Sequence, residues 1–179
     1  MNLVEIGSKY QSDKGYLHAY YEVYDVFFSR LRDSAKKVLE IGTYNGESLR
    51  VWRKYFTSAH IVGADIFFKP LYNLDSRISF HLLDAYKDSS VDVLNDSYDI
   101  IIDDGPHNLD SQIFFIKNYL PLLSSNGILV IEDILSYEAA RIIGSYIPDQ
   151  YKRFSFLVDR GIVPGVDGSS LLLFVNLYE

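Results

Sequence analysis

Two aspartates and a histidine follow a run of apolar residues in the middle of the chain, in the segment Tyr98-Asp-Ile-Ile-Ile-Asp-Asp-Gly-Pro-His107. Carboxylates bind cations, and an imidazole exchanges a proton near neutral pH. The apolar run is typical of a strand that helices cover on both faces of a parallel sheet. Ligands of such sheets bind beyond the carboxyl ends of the strands, where Asp103, Asp104 and His107 would lie. A simple turn, in which the carboxylates accept backbone amides, is the alternative interpretation.

A second apolar run, Ile128-Leu-Val-Ile131, also ends in adjacent acids, Glu132 and Asp133. If the two strands are neighbours, Asp104, Glu132 and Asp133 converge, and carboxylates so close together must share protons or a cation. A divalent ion held by carboxylates and water meets this need, and magnesium prefers oxygen ligands. We therefore predict a divalent-metal site at these three acids. The alternative is that one acid of each pair turns away, because successive strand side chains alternate faces.

A glycine turn follows the first clear strand, Val38–Ile41, in the segment Glu40-Ile-Gly-Thr-Tyr-Asn-Gly46, and leads into a helix predicted to end at about Tyr55. Small residues and free amides at such a turn let a ligand approach the backbone. The next strand ends in Asp65 and Ile66, and Asp65 lies 23 positions after Gly42. Nucleotide-binding α/β folds place a carboxylate at about this distance on the ribose hydroxyls. An ordinary loop aspartate beside a generic turn is the alternative.

The other elements complete an α/β pattern. A helix is predicted from Tyr16 to Leu31, and a third strand, Ile78–Leu83, delivers Asp84 and Ala85 to the same edge. Residues 124–127 are predicted to form a turn, and the segment with Pro70 a loop or short helix. The last two strands alternate in polarity across a Gly/Pro-rich link, residues 159–170, and predict an antiparallel hairpin. We expect the part of this link from Arg160 to Ser169 to help select the substrate.

Composition limits the class of protein. The 179 residues predict one domain, with residues 1–35 as an N-terminal lid or helix segment and 36–179 as the core. A net charge of -7 argues against a nucleic-acid partner, which needs clustered Lys and Arg. The absence of cysteine excludes disulfides and thiolate chemistry. Without a long apolar segment, no membrane association is expected, and a cytoplasmic location is predicted. A homodimer through the aromatic first helix is conceivable.

Two sets of motifs resemble a known family. The glycine turn from Glu40 to Gly46 is similar to the first motif of class I S-adenosylmethionine-dependent methyltransferases, and Asp65 is similar to their ribose-binding acid. This resemblance spans about residues 36–177. It implies a Rossmann-like, doubly wound, mostly parallel seven-stranded sheet with a C-terminal antiparallel hairpin, in a three-layer sandwich. More narrowly, Asp104-Gly-Pro-His107 with Glu132-Asp133 resembles the metal-dependent sugar O-methyltransferases of macrolide biosynthesis and their cephalosporin hydroxylase-like relatives.

The resemblance assigns roles to residues. It implies that Asp104, Glu132 and Asp133 hold magnesium and that His107 is the catalytic base. It also implies S-adenosylmethionine as cofactor, with contacts from Glu40, Gly42, Thr43, Tyr44, Gly46, Asp65, Ile66, Asp84, Ala85, Asp103 and Lys14. The segment Ser12-Asp-Lys-Gly15, followed by His18, resembles the region that precedes the family's core. Pro106 and Asn108 depart from the family pattern, which leaves the acceptor less defined than the chemistry. The implied acceptor is a hydroxyl of a sugar, a glycan or a glycosylated small molecule.

Three other functions remain open at this point. A catechol-type O-methyltransferase would use the same metal with a different acceptor. A nicotinamide dehydrogenase is disfavoured, because the turn lacks the full G-x-G-x-x-G spacing. A non-catalytic subunit that has kept the fold is the third, since a fold does not fix a function.

Overall fold

The computed structural model describes residues 1–67, 75–161 and 171–177. Its centre is a seven-stranded sheet, made of β1 (Lys37–Ile41), β2 (His60–Asp65), β3 (Ile78–Leu82), β4 (Tyr98–Asp103), β5 (Leu123–Ile134), β6 (Ser155–Asp159) and β7 (Leu171–Asn176). The strand order is β3-β2-β1-β4-β5-β7-β6. Strands β1 to β5 run parallel, whereas β7 is antiparallel to both β5 and β6. The predicted doubly wound sheet with a closing antiparallel hairpin is confirmed.

Helices cover both faces of the sheet. They are α1 (Leu3–Tyr10), α2 (Asp13–Tyr16), α3 (Tyr20–Phe28), α4 (Glu47–Tyr55), α5 (Asp88–Val93), α6 (Leu109–Tyr119), α7 (Tyr137–Ser145) and α8 (Asp149–Lys152). One apolar core lies between the sheet and α1, α3 and α4, and the other between the sheet and α5, α6 and α7. This gives the predicted three-layer sandwich. Within the described ranges, every helix is too short or too polar to cross a membrane.

The apolar runs form the central strands because burial on both faces suits them. Ile100, Ile101 and Ile102 of β4 are fully buried, and their side chains alternate between the two cores. Branched aliphatic side chains pack well on a pleated surface, so such a run favours a strand over a helix. The same alternation gives adjacent acids at the end of a strand different surroundings, and the site shows the result.

Two boundaries predicted from sequence are wrong. The helix predicted from Tyr16 to Leu31 is divided, because α2 ends at Tyr16 and Ala19 takes a left-handed conformation, with φ 52°, before α3 begins. Residues 124–127, predicted to be a turn, belong to the long strand β5. Gly127 allows β4 to pass close to this part of β5, because a Cβ at position 127 would lie 3.0 Å from the backbone carbonyl oxygen of Asp99. The segments around Pro70 and at 162–170 lie outside the described residues.

Only glycine fits at position 42, directly after β1. Its φ is 82°, and a Cβ built on it would lie 1.8 Å from the backbone carbonyl oxygen of Asp104. We expect Gly42→Ala to lower the free energy of unfolding by about 2–4 kcal/mol, through strain and a backbone clash. Gly144→Ala is the matched control, because among the described residues no heavy atom outside the local helix backbone and the two neighbouring residues lies within 4 Å of the added carbon, and α7 gains a better helix former. Urea unfolding measures both, and equal midpoints would contradict the prediction.

Candidate active site

A cleft of about 630 Å³ opens at the carboxyl edge of the sheet, and we call it the edge cleft. This volume is in the range of sites for small molecules and cofactors. Segments that follow β1, β2, β3 and β4 line it, and the lining includes the predicted cofactor residues Gly42, Tyr44, Asp65, Ile66, Asp84 and Ala85. Asp104 and His107 lie on the same lining. Six of the residues predicted for the cofactor therefore meet Asp104 and His107 at one cavity.

Asp65 ties the glycine turn to the end of β2. Its Oδ2 accepts hydrogen bonds from the backbone amides of Thr43, at 2.8 Å, and Tyr44, at 2.9 Å, and its Oδ1 accepts one from the amide of Phe67. Gly46, with φ 77°, is the N-cap of α4 and completes the turn. A carboxylate has about four acceptor positions and three are used here, so Asp65 can still accept one hydrogen bond, such as one from a ribose hydroxyl. The ribose role of Asp65 stays a prediction.

Asp65→Asn is expected to weaken the binding of S-adenosylmethionine about 10- to 100-fold. The amide keeps the size of the side chain but loses the charge that strengthens hydrogen bonds from both the turn and the ribose. Calorimetry with the cofactor measures the change. Asp92→Asn is the control, because Asp92 is exposed on α5 and is not part of the edge cleft. Equal affinities for the two variants would argue against the ribose role.

Two other residues predicted for the cofactor are buried beside the edge cleft and do not line it. Glu40 accepts hydrogen bonds from Ser48 Oγ, at 2.6 Å, and Trp52 Nε1, at 3.1 Å, and burial raises the pKa of its carboxyl to about 7. Asp103 accepts one from the Tyr86 hydroxyl, and burial likewise raises its pKa to about 7. Glu40 thus holds α4 against the sheet, and Asp103 holds the segment around Tyr86. The cofactor role of both residues stays a prediction.

Lys14 and Thr43 line a smaller neighbouring cavity of about 140 Å³. This cavity lies between the N-terminal segment and the glycine turn, and Asp104 belongs to both cavities. The N-terminal segment therefore forms a wall next to the turn and reaches the acidic residues behind it.

Three side chains form a candidate cation site, and two of them, Asp104 and His107, line the edge cleft. Asp104, His107 and Asp133 each offer one ligand atom, and these atoms lie within 4.8 Å of one another. His107 Nε2 is 3.6 Å from Asp104 Oδ1 and 3.7 Å from Asp133 Oδ2. His107 and Asp133 both have left-handed backbones, with φ 55° and 51°. Such conformations are uncommon outside glycine and concentrate at functional sites, where the surrounding structure holds them.

Glu132 lies behind this site and points into the protein. Its Oε1 accepts a hydrogen bond from the Tyr24 hydroxyl at 2.6 Å, and its Oε2 lies 2.7 Å from Lys14 Nζ. The Lys14 ammonium also contacts Asp104 and lies 3.4 Å from Glu40 Oε1. Burial lowers the pKa of Lys14, but the three carboxylates outweigh it and hold that pKa well above its usual value. Lys14 is therefore a protonated, buried counter-ion of the acids.

Two tyrosines of α3 contribute contacts that the sequence interpretation did not anticipate. The Tyr20 hydroxyl donates to Asp133 Oδ1, and the Tyr24 hydroxyl donates to Glu132. Burial raises the pKa of both hydroxyls, so they remain protonated donors. Both positions belong to the buried face of the predicted helix. A phenylalanine there would fill the core equally well, so the hydroxyl is the additional feature. A tyrosine in a core position needs a partner for its hydroxyl, and this was the available signal.

The seven-stranded sheet, with β7 antiparallel between β5 and β6, is the one implied by the resemblance to class I S-adenosylmethionine-dependent methyltransferases. Comparison with known proteins leads to the same class. Residues 39–134 match the methyltransferase domain family, and the chain belongs to it.

Individual relatives are enzymes of natural-product biosynthesis. The chain is 30% identical over 165 residues to 8-demethyl-8-alpha-L-rhamnosyl tetracenomycin-C 2'-O-methyltransferase of Streptomyces olivaceus, over 87% of this chain and 43% of that protein. It is 33% identical to mycinamicin VI 2''-O-methyltransferase of Micromonospora griseorubida, over 74% of this chain and 36% of that protein. The chain thus spans less than half the length of these relatives.

Among solved structures, the MycE methyltransferase of the mycinamycin biosynthetic pathway, in complex with Mg and SAH, is similar over 100% of this chain and 55% of its own. The TM-score is 0.79 and the sequence identity 25%. A Podospora anserina methyltransferase, PaMTH1, shares the fold at 16% identity, with a TM-score of 0.58 over 99% of this chain and 88% of its own.

Proposed function

We propose that this protein is a divalent-metal-dependent O-methyltransferase that uses S-adenosylmethionine to methylate a hydroxyl of a sugar or of a glycosylated small molecule. The observation that carries the proposal is that Asp104 and His107 line the cleft that also contains Gly42 and Asp65, and that Asp133 offers a ligand atom within 4.8 Å of theirs. The named activities of the relatives, which transfer methyl groups to rhamnosyl tetracenomycin-C and mycinamicin VI, support the acceptor class.

The edge cleft fits the cofactor in its size and polar groups. Asp65 would accept the ribose hydroxyls, the Gly42–Gly46 turn would face the rest of the molecule, and Asp84 and Ala85 would lie beside the adenine. The bound cofactor would supply an electrophilic methyl group. The protein's own contribution is to hold that group close to the acceptor oxygen, and alignment of this kind is a large part of catalysis by proximity.

The donor atoms also fit a divalent ion. Two carboxylates and an imidazole within 4.8 Å of one another are a common ligand set, and magnesium would favour the oxygens of Asp104 and Asp133. Such an ion would lower the pKa of an acceptor hydroxyl. His107 would then accept the proton, because it lines the edge cleft, is partly exposed and lies within 3.7 Å of a carboxylate oxygen of both Asp104 and Asp133. Glu132, the third acid predicted for the metal, lies behind the other two, and its role as a ligand stays a prediction.

The test is transfer of labelled methyl groups from S-adenosylmethionine to a panel of rhamnosides, other glycosides, simple diols and catechols, with and without magnesium. We expect transfer to glycosides that is lost with a chelator and restored by magnesium. If the protein prefers catechols, the proposed acceptor class is wrong and catechols take its place. If transfer is unchanged in the presence of the chelator, the reaction does not depend on a metal. Binding of cofactor without transfer to any hydroxyl would favour a non-catalytic role.

A further inference from the structure

Strand β5 is irregular at the two acids near its end. In the pairing with β7, β5 carries one more residue between Ile131 and Ile134, so Glu132 and Asp133 lie in a bulge. Asp133 also has a left-handed backbone there, with φ 51°. Adjacent side chains of a regular strand point to opposite faces, whereas a bulge can re-aim a side chain and is common beside active sites. The two acids are therefore not bound to alternate faces of the sheet.

Helix α3 meets both acids with a tyrosine hydroxyl. The Tyr20 hydroxyl donates to Asp133 Oδ1, and the Tyr24 hydroxyl donates to Glu132 Oε1 at 2.6 Å. Both tyrosines are 0% exposed and belong to the core between the sheet and α1, α3 and α4. Tyr24 also stacks on Phe28, with the ring centroids 4.9 Å apart. Because packing holds the rings, each hydroxyl fixes the position of the carboxylate oxygen that it binds.

These hydrogen bonds orient the acids without occupying all of their acceptor positions. A carboxylate has about four such positions. Asp133 accepts from Tyr20 on Oδ1, while its Oδ2 lies 3.7 Å from His107 Nε2 at the candidate cation site. Tyr20 thus determines which oxygen of Asp133 faces His107. Glu132 accepts one hydrogen bond on each oxygen, so it also keeps positions for a cation.

We propose that Tyr20 and Tyr24 are positioning residues of the metal site: they hold Asp133 and Glu132 in the orientation that binds the divalent ion and thereby set its affinity. This inference rests on the metal of the proposed function and on the predicted ligand role of Glu132. Groups that hydrogen-bond to metal ligands typically contribute about 10- to 100-fold to metal affinity. Helix α3 is therefore part of the site as well as part of the core.

Mn²⁺ titration of the full chain and of three variants, followed by electron paramagnetic resonance, tests this role. Phenylalanine keeps the buried ring and removes only the hydroxyl, so we expect Tyr20→Phe and Tyr24→Phe each to bind Mn²⁺ at least about 10-fold more weakly. Tyr55→Phe is the matched control. Tyr55 is also 0% exposed in the same core, and it donates to a carboxylate, Asp25, that is not among the acids of the site. Its variant should keep the Mn²⁺ affinity of the unmodified protein.

Urea unfolding separates a positioning role from a general loss of stability. All three variants should unfold at lower urea concentrations, because each loses a hydroxyl that donates to a carboxylate. Only Tyr20→Phe and Tyr24→Phe should also lose Mn²⁺ affinity. A loss that followed from stability alone would appear in Tyr55→Phe to the same extent.

The outcomes distinguish this inference from the proposed function. Mn²⁺ affinities of Tyr20→Phe and Tyr24→Phe that equal the affinity of Tyr55→Phe would overturn the inference and leave the proposed function intact. A loss in one of the two variants alone would overturn the role of the other tyrosine. If the unmodified protein bound no Mn²⁺, the metal of the proposed function would be wrong, and the inference would fail with it.

Discussion

Asp104→Asn is expected to lower metal-dependent methyl transfer at least about 100-fold and to weaken Mg²⁺ or Mn²⁺ binding in parallel. The substitution keeps the shape of the side chain and removes the charge that faces both His107 and Lys14. A metal that stabilises developing negative charge contributes several kcal/mol, which corresponds to a loss of this size or greater. Initial rates over a range of Mg²⁺ concentrations measure the effect.

Asp110→Asn is the matched control for that substitution. Asp110 is exposed in the first turn of α6, a few residues from Asp104 in sequence but not part of the edge cleft. Its variant should retain both the rate and the dependence on Mg²⁺. If Asp104→Asn had the same rate as the unmodified protein, and a chelator still abolished that rate, the metal would have to bind elsewhere.

His107→Asn is expected to lower kcat by about 100- to 10,000-fold, the usual contribution of a general base, while the cofactor still binds. Asparagine is chosen because His107 has φ 55°, and asparagine accepts a left-handed backbone better than most residues. The variant therefore removes the imidazole with little change in backbone strain. Steady-state kinetics with the best acceptor measure kcat, and calorimetry measures cofactor affinity.

His107→Ala separates the two explanations for a loss. Alanine removes the imidazole and also fits the left-handed backbone poorly. If both variants lose the same activity, the imidazole is responsible. Activity retained by His107→Asn and lost only by His107→Ala would show that the backbone conformation matters and that His107 is not the base.

The sheet could be predicted from sequence because its signals are local. Apolar runs such as Ile100–Ile102, and the glycine turn before α4, determine strands and connections without reference to distant residues. Helix α1 was missed, although Asn2 and Glu5 form a capping box that is visible in the sequence. Its stability depends on Leu3 and Ile6, which are buried in the core shared with α3 and α4 and only then favour the helix.

The site was predictable in part. Two apolar strands ending in acids indicated that Asp104 and Asp133 would meet, and both offer ligand atoms to the same candidate site. The different surroundings of Glu132 could not be predicted, because its contact with Lys14 joins residues 118 positions apart. Alternation along a strand indicates that neighbours face opposite ways, but it does not reveal which distant group each of them meets.

The hydrogen bonds of the two α3 tyrosines depend on the number of residues between them in the helix. Tyr20 and Tyr24 are four positions apart and bind the adjacent acids Asp133 and Glu132. One added residue between them would rotate the second ring by about 100° around the helix axis, so one acid would lose its donor. An insertion after Phe28 would leave this pairing alone. Changes of chain length in relatives should therefore be tolerated beyond the end of α3 and rare inside it.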